Sequence, residues 1–224
     1  MAQEIGRIER PAADQYRGKR KLLLVPLMHI PPADSEDGSA ILERYWDQVC
    51  TQIAALESRL GPLQQIYCES LIEGGTEGLK NLALIDLRGH SLVNTKCEAG
   101  ATLQATEDKE NLSEILDLQR FLVLPMVSQR VAQRIHEWFA ESNKSRYQHI
   151  ADQINGTLGE GETGLLLISE RHQVQFPSDI EVFYVAPPAL DELRRWLQNW
   201  VAQQRQEHQE EDDTSGEEQD AEAG

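Results

Sequence analysis

The chain has 224 residues, 40% of them hydrophobic, and a formal net charge of −17. Nine of the acids lie in residues 207–224, which contain no Lys or Arg, so residues 1–206 have a net charge of −8. This acidic balance argues against nucleic acid as a partner. No apolar run is long enough to span a bilayer, and residues 1–20 are too polar for a signal peptide, so we expect a cytoplasmic protein without a membrane partner.

The first apolar run starts at Lys21 and ends at His29, which is typical of a buried strand. Apolar residues at helical spacing then predict a helix that stops at Gly61-Pro62. Residues 63–69 predict a second strand, which ends at Glu69. Because a helix connects these two strands, we expect them to run parallel.

The remaining elements alternate between strands and helices. Residues 165–168 are the most apolar run of the chain and predict a central strand of the sheet. The polar patch at residues 142–145 is a candidate break in a long helix. The other predicted elements are helical pieces over 76–99, a strand over 101–106, helices over 110–124 and 127–158, a strand over 181–185, and a last helix through Trp196 and Trp200.

This order of elements predicts an α/β fold, with a mostly parallel sheet flanked by helices. The expected organisation is a polar lead-in (1–19), a single α/β domain (20–204) and a disordered acidic tail (205–224). The three cysteines form no CxxC pair, so we expect buried free thiols rather than a zinc or redox motif.

Four predicted strands end in polar residues: His29, Glu69, Glu107-Asp108 and Glu170-Arg171-His172. Because parallel strands present their carboxyl ends at one edge of a sheet, these side chains are expected to converge. Imidazole and carboxylate groups are ligands for zinc, manganese or iron. The same groups also perform general acid–base catalysis, so the residue types alone leave both chemistries open.

Each residue also has a structural explanation that needs no function. A histidine after a strand is commonly solvated, and Glu69 could accept backbone N–H bonds in a loop. Glu107-Asp108 could cap the following helix, because acids at that position stabilise a helix N-terminus. The recurrence of such residues at successive strand ends favours a site. No phosphate-binding loop, G-x-S-x-G elbow or H-E-x-x-H helix is present.

The order of these motifs resembles the superfamily of the TraB/PrgY proteins, the Tiki proteases, the ChaN-like haem-binding lipoproteins and the erythromycin-esterase-like proteins. The matching stretches are Pro26-Leu27-Met28-His29, Cys68-Glu69, Cys97-Glu98-Ala99-Gly100-Ala101 before Glu107-Asp108, the helical Arg146, and Ser169-Glu170-Arg171-His172. The chain departs from the pattern at Pro26 and Ser169, which replace glycines, and at Glu107-Asp108, which stands in place of Asp-Arg.

The resemblance implies a metal-assisted hydrolase that acts on peptide or ester bonds of a small-molecule or peptide substrate. His29, His172, Glu69 and Glu170 are then the candidate ligands of a divalent metal ion. Glu69, Glu107 and Arg146 are the candidate catalytic residues, with Glu69 as general base and Arg146 orienting an anionic group. The ChaN branch implies haem, which we rank below a metal ion.

An alternative hypothesis is a non-catalytic interaction or regulatory protein that keeps the fold and has a degenerate site. The replaced glycines and the change from Asp-Arg to Glu107-Asp108 favour it. The acidic tail and the helix with Trp196 and Trp200 are the candidate contacts for a basic partner, although both tryptophans also fit core packing.

Overall fold

A computed structural model describes residue 16, residues 18–28 and residues 36–222 of the chain. His29, predicted at the end of the first strand, lies outside the described residues, and the described strand ends earlier, at Leu27. The elements are β1 (Arg20–Leu27), α1 (Glu36–Leu60), β2 (Gln65–Cys68), α2 (Gly75–Ile85), α3 (Leu87–Glu98), β3 (Thr102–Gln104), α4 (Lys109–Leu122), α5 (Gln129–Thr157), β4 (Thr163–Ser169), β5 (Ile180–Tyr184) and α6 (Pro188–Glu222).

The five strands form one parallel sheet in the order β3-β2-β4-β1-β5, which confirms the predicted α/β class. The apolar run predicted as central is the middle strand, β4, where Leu165 pairs with Leu23 of β1 and with Ile66 of β2. β1 and β2 are parallel, as expected, but they are not neighbours, because β4 lies between them. A strand bordered on both sides and covered on both faces must be apolar throughout, which explains its composition.

Contacts divide the described residues into two compact units. The first contains residues 16, 18–28 and 53–185, with the whole sheet. Its α5 packs on the sheet through Ile150 and Ile154, which lie in one cluster with the central strand. The break expected at residues 142–145 is wrong: α5 is continuous, because Ser142 is buried and its hydroxyl donates to the Glu114 carboxylate of α4.

The second unit contains residues 36–52 and 186–222 of the described chain. Within it, Arg44 forms an ion pair with Glu192 at 2.6 Å, and the N–H of Ala189 donates to Gln48 Oε1 at 3.0 Å, at the start of α6. These contacts join α1 to the first turn of α6. The single domain over 20–204 and the disorder of residues 205–224 stay predictions.

The cysteines differ in burial. Cys68 is buried in β2, as expected, and Cys97 is half-buried in α3. The expectation is wrong for Cys50, which is exposed. Val49 and Ile53 lie on the buried stripe of α1, and the 100° step of the helix turns Cys50 away from that stripe. Among the described residues, no helix is long and apolar enough to cross a membrane.

Candidate functional site

The segments that follow β2 and β3 bring two carboxylates to the carboxyl edge of the sheet. Glu69 follows β2 directly, and its N–H donates to Leu167 O at 2.9 Å, which extends the β2–β4 pairing by one residue. The N–H groups of Thr106 and Glu107 donate to Leu71 O at 2.9 and 3.0 Å. These backbone bonds tie the two loops together, so the positions of Glu69 and Glu107 are set by the sheet itself.

Arg146 of α5 reaches this edge and binds Glu107. Its Nε donates to both Glu107 carboxylate oxygens at 2.9 Å, and its Nη2 donates to Oε1 at 2.5 Å. The N–H of Ser70 also donates to Oε1 at 2.9 Å. The side chains of Arg146 and Glu107 are 12% and 1% exposed. Glu107 therefore has both oxygens occupied in a charge-assisted contact with fixed geometry.

Ser70 reaches Glu107 through an uncommon backbone conformation. It is the one non-glycine residue with positive φ among the described residues, at 69°. This left-handed region costs a residue with a Cβ about 1–3 kcal/mol, and such strain is concentrated at functional sites. The chain thus accepts strain directly after Glu69, at the residue whose N–H binds the second carboxylate.

Glu69 is held differently from Glu107. Its Oε1 accepts a hydrogen bond from Ser169 Oγ at 2.8 Å, and its Oε2 lies 3.7 Å from Arg146 Nη2. The second distance is that of an ion pair and is too long for a hydrogen bond. We call Glu69, Arg146 and Glu107 the ionic cluster, which has two negative charges and one positive charge and is almost entirely removed from solvent.

Opposing effects act on the pKa of Arg146. Burial alone would lower this pKa, but the hydrogen bonds and charge of Glu107 and the charge of Glu69 outweigh burial, so the pKa is raised. The guanidinium also lies 5.8 Å from the centre of the Tyr147 ring. Its hydrogen bonds to described residues use Nε and Nη2, which leaves the two Nη1 protons for a ligand or solvent.

His172 lies in the turn after β4. Its N–H donates to Ser169 O at 3.1 Å, and its Nδ1 accepts from the N–H of Val174 at 3.2 Å. An imidazole that accepts at Nδ1 carries its proton on Nε2, so this hydrogen bond assigns the tautomer. Burial lowers the pKa of His172, and the negative charge of Glu69 opposes that shift. A neutral imidazole with an Nε2 donor therefore accompanies the ionic cluster.

The other candidate residues have different positions. Asp108 caps α4, because its Oδ1 accepts from the N–H of Asn111 at 2.8 Å, so the capping explanation is confirmed for Asp108. It is wrong for Glu107, which binds Arg146 instead. Glu170 is half-buried in the turn with His172, and His29 lies outside the described residues.

The described residues do not by themselves fit a metal site. Zinc sites use three or four protein ligands, and no group of three His, Cys, Asp or Glu side chains among the described residues is placed to hold an ion. Both oxygens of Glu107 bind Arg146, and His172 carries its proton on the nitrogen that would bind the metal. A cation at Glu69 would also be repelled by Arg146. The ligand set of His29, His172, Glu69 and Glu170 stays a prediction.

A cleft of about 260 Å³ has Tyr147, whose ring lies near Arg146, among its lining residues. It is lined by Lys144, Tyr147, Gln148, Gln173 and Gln175. Tyr147 belongs both to this cleft and to the surroundings of Arg146. The lining offers one cation and three amides, which suit a polar or anionic ligand with hydrogen-bonding groups.

Sequence reasoning did not assign a role to Ser70, Ser169 or Tyr147. The signal for Ser169 was present, since it replaces a motif glycine, and its hydroxyl now binds Glu69. The roles of Ser70 and Tyr147 depend on a backbone angle and on a ring contact, neither of which has a sequence signature.

Comparisons of the chain with protein-family models, curated proteins and solved structures find no match. The resemblance to the TraB/PrgY superfamily therefore depends on the motifs quoted above and on the order of the elements.

Proposed function

We propose that the chain is a hydrolase of ester or peptide bonds, distantly related to the TraB/PrgY superfamily, that acts at the carboxyl ends of β2, β3 and β4. The observation that carries this proposal is the ionic cluster. Glu69 lies 3.7 Å from a guanidinium that the second carboxylate, Glu107, holds in place. A carboxylate base beside a fixed cation is an arrangement suited to the attack of water on a carbonyl group.

The two carboxylates have different roles in this proposal. Glu107 is a positioning residue, because both of its oxygens are occupied by Arg146 and Ser70. Glu69 is the general base that takes a proton from water, since its Oε2 makes an ion-pair contact rather than a hydrogen bond with Arg146. The hydrogen bonds from Arg146 to both carboxylate oxygens of Glu107 fix the direction of the guanidinium before a substrate binds.

Arg146 and His172 are the electrophilic groups. The Nη1 protons of Arg146 would donate to the carbonyl oxygen as negative charge develops on it, and one such donor is worth about 10²–10³-fold in rate. His172 is neutral near pH 7, because burial lowers its pKa, and its Nε2–H would hydrogen bond to the leaving group. The proton that Glu69 takes from water would then pass to the leaving group as its bond to the carbonyl carbon breaks. The amide-lined cleft beside Tyr147 is the candidate position for the polar remainder of a small-molecule or peptide substrate.

A divalent metal ion, as the resemblance implies, would supply a polarised water or carbonyl when bound. No step above depends on it. Elemental analysis of the purified protein, beside the double variant His29→Ala/His172→Ala, tests the metal directly. A metal that is present in the wild type and lost in the variant would support it. Haem binding, ranked lower, predicts a Soret band on haem addition.

Hydrolysis is tested with a panel of p-nitrophenyl esters and N-acylated peptides, without added metal and with Zn²⁺, Mn²⁺ or Fe²⁺. Wild type, Glu69→Gln and the control Glu110→Gln, at an exposed site on α4, are purified in parallel. We expect Glu69→Gln to lower kcat/KM by about 100-fold or more with an unchanged Tm, and the control to match wild type. No hydrolysis by the wild type under any condition, or equal rates in all three proteins, would overturn the proposal.

One contact favours the alternative of a non-catalytic protein. Ser169 donates to Glu69 Oε1, whereas the glycine of the resembled motif would leave that oxygen without this donor. The variant Ser169→Gly distinguishes an active hydrolase from a non-catalytic protein with a degenerate site. A large gain in hydrolysis in this variant, from a wild type with none, would identify a degenerate site and support the non-catalytic protein.

A further inference from the structure

The helical hairpin of α4 and α5 ends in exposed apolar side chains. The two helices are joined by residues 123–128, and no residue from 119 to 141 is buried. Of the twelve large exposed hydrophobic residues described, seven lie on this hairpin: Leu116, Phe121, Val123, Leu124, Val127, Val131 and Trp138. We call residues 121–131 the apolar tip. Among the described residues, no other helix or strand covers the apolar tip.

The exposure at the end of the apolar tip is nearly complete. Val123 is 81% exposed and Val127 is 105% exposed. Single exposed apolar residues are ordinary on protein surfaces, whereas a contiguous apolar patch marks an interaction site. Residues 121–127 are consecutive and apolar, Phe-Leu-Val-Leu-Pro-Met-Val, so this surface is a patch rather than a scatter.

The charge around the apolar tip is opposite to that of the chain. Residues 118–136 contain Arg120, Arg130 and Arg134 and no Asp or Glu, although the chain has a net charge of −17. The ion pairs of Arg120 with Asp117 and of Arg134 with Glu137 are exposed, and the acid in each lies farther from the tip than the arginine. Exposed pairs of this kind hold their partners weakly, so the arginines can exchange them for another anion.

We propose that the apolar tip docks on the surface of a bilayer that contains anionic lipids. Apolar side chains that enter the boundary between headgroups and acyl chains, together with flanking arginines that contact lipid phosphates, are the two signals that surface association requires. An exposed hairpin end with no buried residue can reach a flat surface without a matching groove. This is surface docking and not a membrane span, and it departs from the expectation of a protein without a membrane partner.

The same charges argue against a second copy as the occupant. A symmetric contact between two apolar tips would bring two sets of three arginines together, and like charges across a contact oppose association. An anionic surface instead attracts all three arginines at once. The proposal is independent of the hydrolase function, because no residue of the ionic cluster lies in the apolar tip.

The test is co-flotation of the full chain with phosphatidylcholine vesicles, with and without phosphatidylglycerol. We expect binding to the anionic vesicles only. Val123→Ser/Val127→Ser should weaken binding about tenfold or more, and Arg130→Gln/Arg134→Gln should weaken it about fivefold for each arginine. The matched controls are Leu84→Ser/Leu87→Ser, at exposed apolar residues of α2 and α3, and Arg59→Gln/Arg195→Gln, at exposed cations. Both controls should bind as the wild type does.

Three results would overturn the proposal. One is the absence of binding to anionic vesicles, which would leave a protein partner for the patch. Another is binding that survives both hairpin variants. The third is a concentration-dependent dimer in light scattering that does not bind vesicles and that Val123→Ser/Val127→Ser converts to a monomer. This result would show that the patch binds a second copy of the chain. Unchanged Tm values show that each variant is folded.

Discussion

Arg146 and Glu107 are joined through both carboxylate oxygens, although they are 39 residues apart and lie in a helix and in a loop after a strand. The carboxylate side chain is only 1% exposed, so this contact is removed from water. Buried ion pairs contribute little net stability compared with apolar packing. The pair is better explained as a device that fixes the direction of the guanidinium beside Glu69.

Removal of one partner of this pair should be costly. Arg146→Ala leaves two buried carboxylates without their cation, and we expect it to lower the free energy of unfolding by about 3–5 kcal/mol. Glu107→Ala leaves Arg146 its ion pair with Glu69 and should therefore cost less. The double variant should cost less than the sum of the two. Urea unfolding measures the free energy of unfolding of the two single variants and of the double variant.

The control for this prediction is Arg120→Ala, which breaks the exposed pair with Asp117 and should cost less than about 1 kcal/mol. Equal losses in Arg146→Ala and Arg120→Ala would contradict the assignment of Arg146 to a buried cluster.

Tyr67 should make stability depend on pH in the alkaline range. Burial, first of several effects, raises the pKa of Tyr67 to about 12 from an ordinary value of 10.0. Because the folded pKa is the higher one, its contribution to stability is full below pH 10 and is lost as the pH rises to 12, by about 2–3 kcal/mol. Tyr67→Phe lacks this loss.

The measurement is urea unfolding of wild type and Tyr67→Phe at pH 8–12. At pH 8 we expect wild type to be more stable by about 1 kcal/mol, since its hydroxyl hydrogen bonds to Thr157 Oγ1 at 2.8 Å. That advantage should shrink as the pH rises above 10, and a constant difference would show that the ring is not shielded.

His172 should titrate below its ordinary pKa of 6.5, because burial disfavours the charged imidazole. Glu69 opposes this shift, so Glu69→Gln should lower the pKa of His172 further, whereas Glu110→Gln should not change it. NMR titration measures the pKa of His172 in the wild type and in these two variants. A rise of this pKa in Glu69→Gln would contradict the placement of the two groups near each other.

The lowered pKa of His172 should also make the stability of the protein fall at acid pH. Because the folded pKa is the lower one, the unfolded chain binds more protons, so the contribution of His172 is present above pH 6.5 and is lost as the pH falls. His172→Asn should therefore lose less stability than the wild type between pH 7 and pH 5. Thermal unfolding across that range checks it.

Ser70 should show strain when its side chain is changed. Its φ of 69° is readily available to glycine. We expect Ser70→Gly to keep or raise the Tm, and Ser70→Val to lower the free energy of unfolding by about 1–3 kcal/mol. The comparison is Ser91→Gly within α3, which should cost about 0.5 kcal/mol. Loss of stability in Ser70→Gly as large as in Ser70→Val would refute the strain.

The sequence was sufficient for the fold class and for the central strand. Leu165 to Ile168 are apolar without alternation, which requires cover on both faces, and the structure has them in the middle of the sheet. The neighbours of that strand were not predictable, because hydrophobic periodicity contains no information on which strands pair. For the same reason the sequence predicted that β1 and β2 run parallel but did not show that β4 lies between them.

The candidate site was predictable only in part. The rule for carboxyl ends of parallel strands selected Glu69 and Glu107, and the structure brings both to Arg146. The rule could not separate Glu107 from its neighbour Asp108, since both are acids before a helix and only the geometry shows which one caps it. Nor could it find Ser70, whose contribution is a backbone N–H.

The role of Glu69 as general base is tested by measuring kcat/KM for ester and peptide hydrolysis by wild type, Glu69→Gln and Glu110→Gln. We expect kcat/KM to fall about 100-fold or more in Glu69→Gln, at unchanged Tm, and to stay at the wild-type value in Glu110→Gln. Equal activity in all three proteins, or none in the wild type with or without added metal, would contradict it.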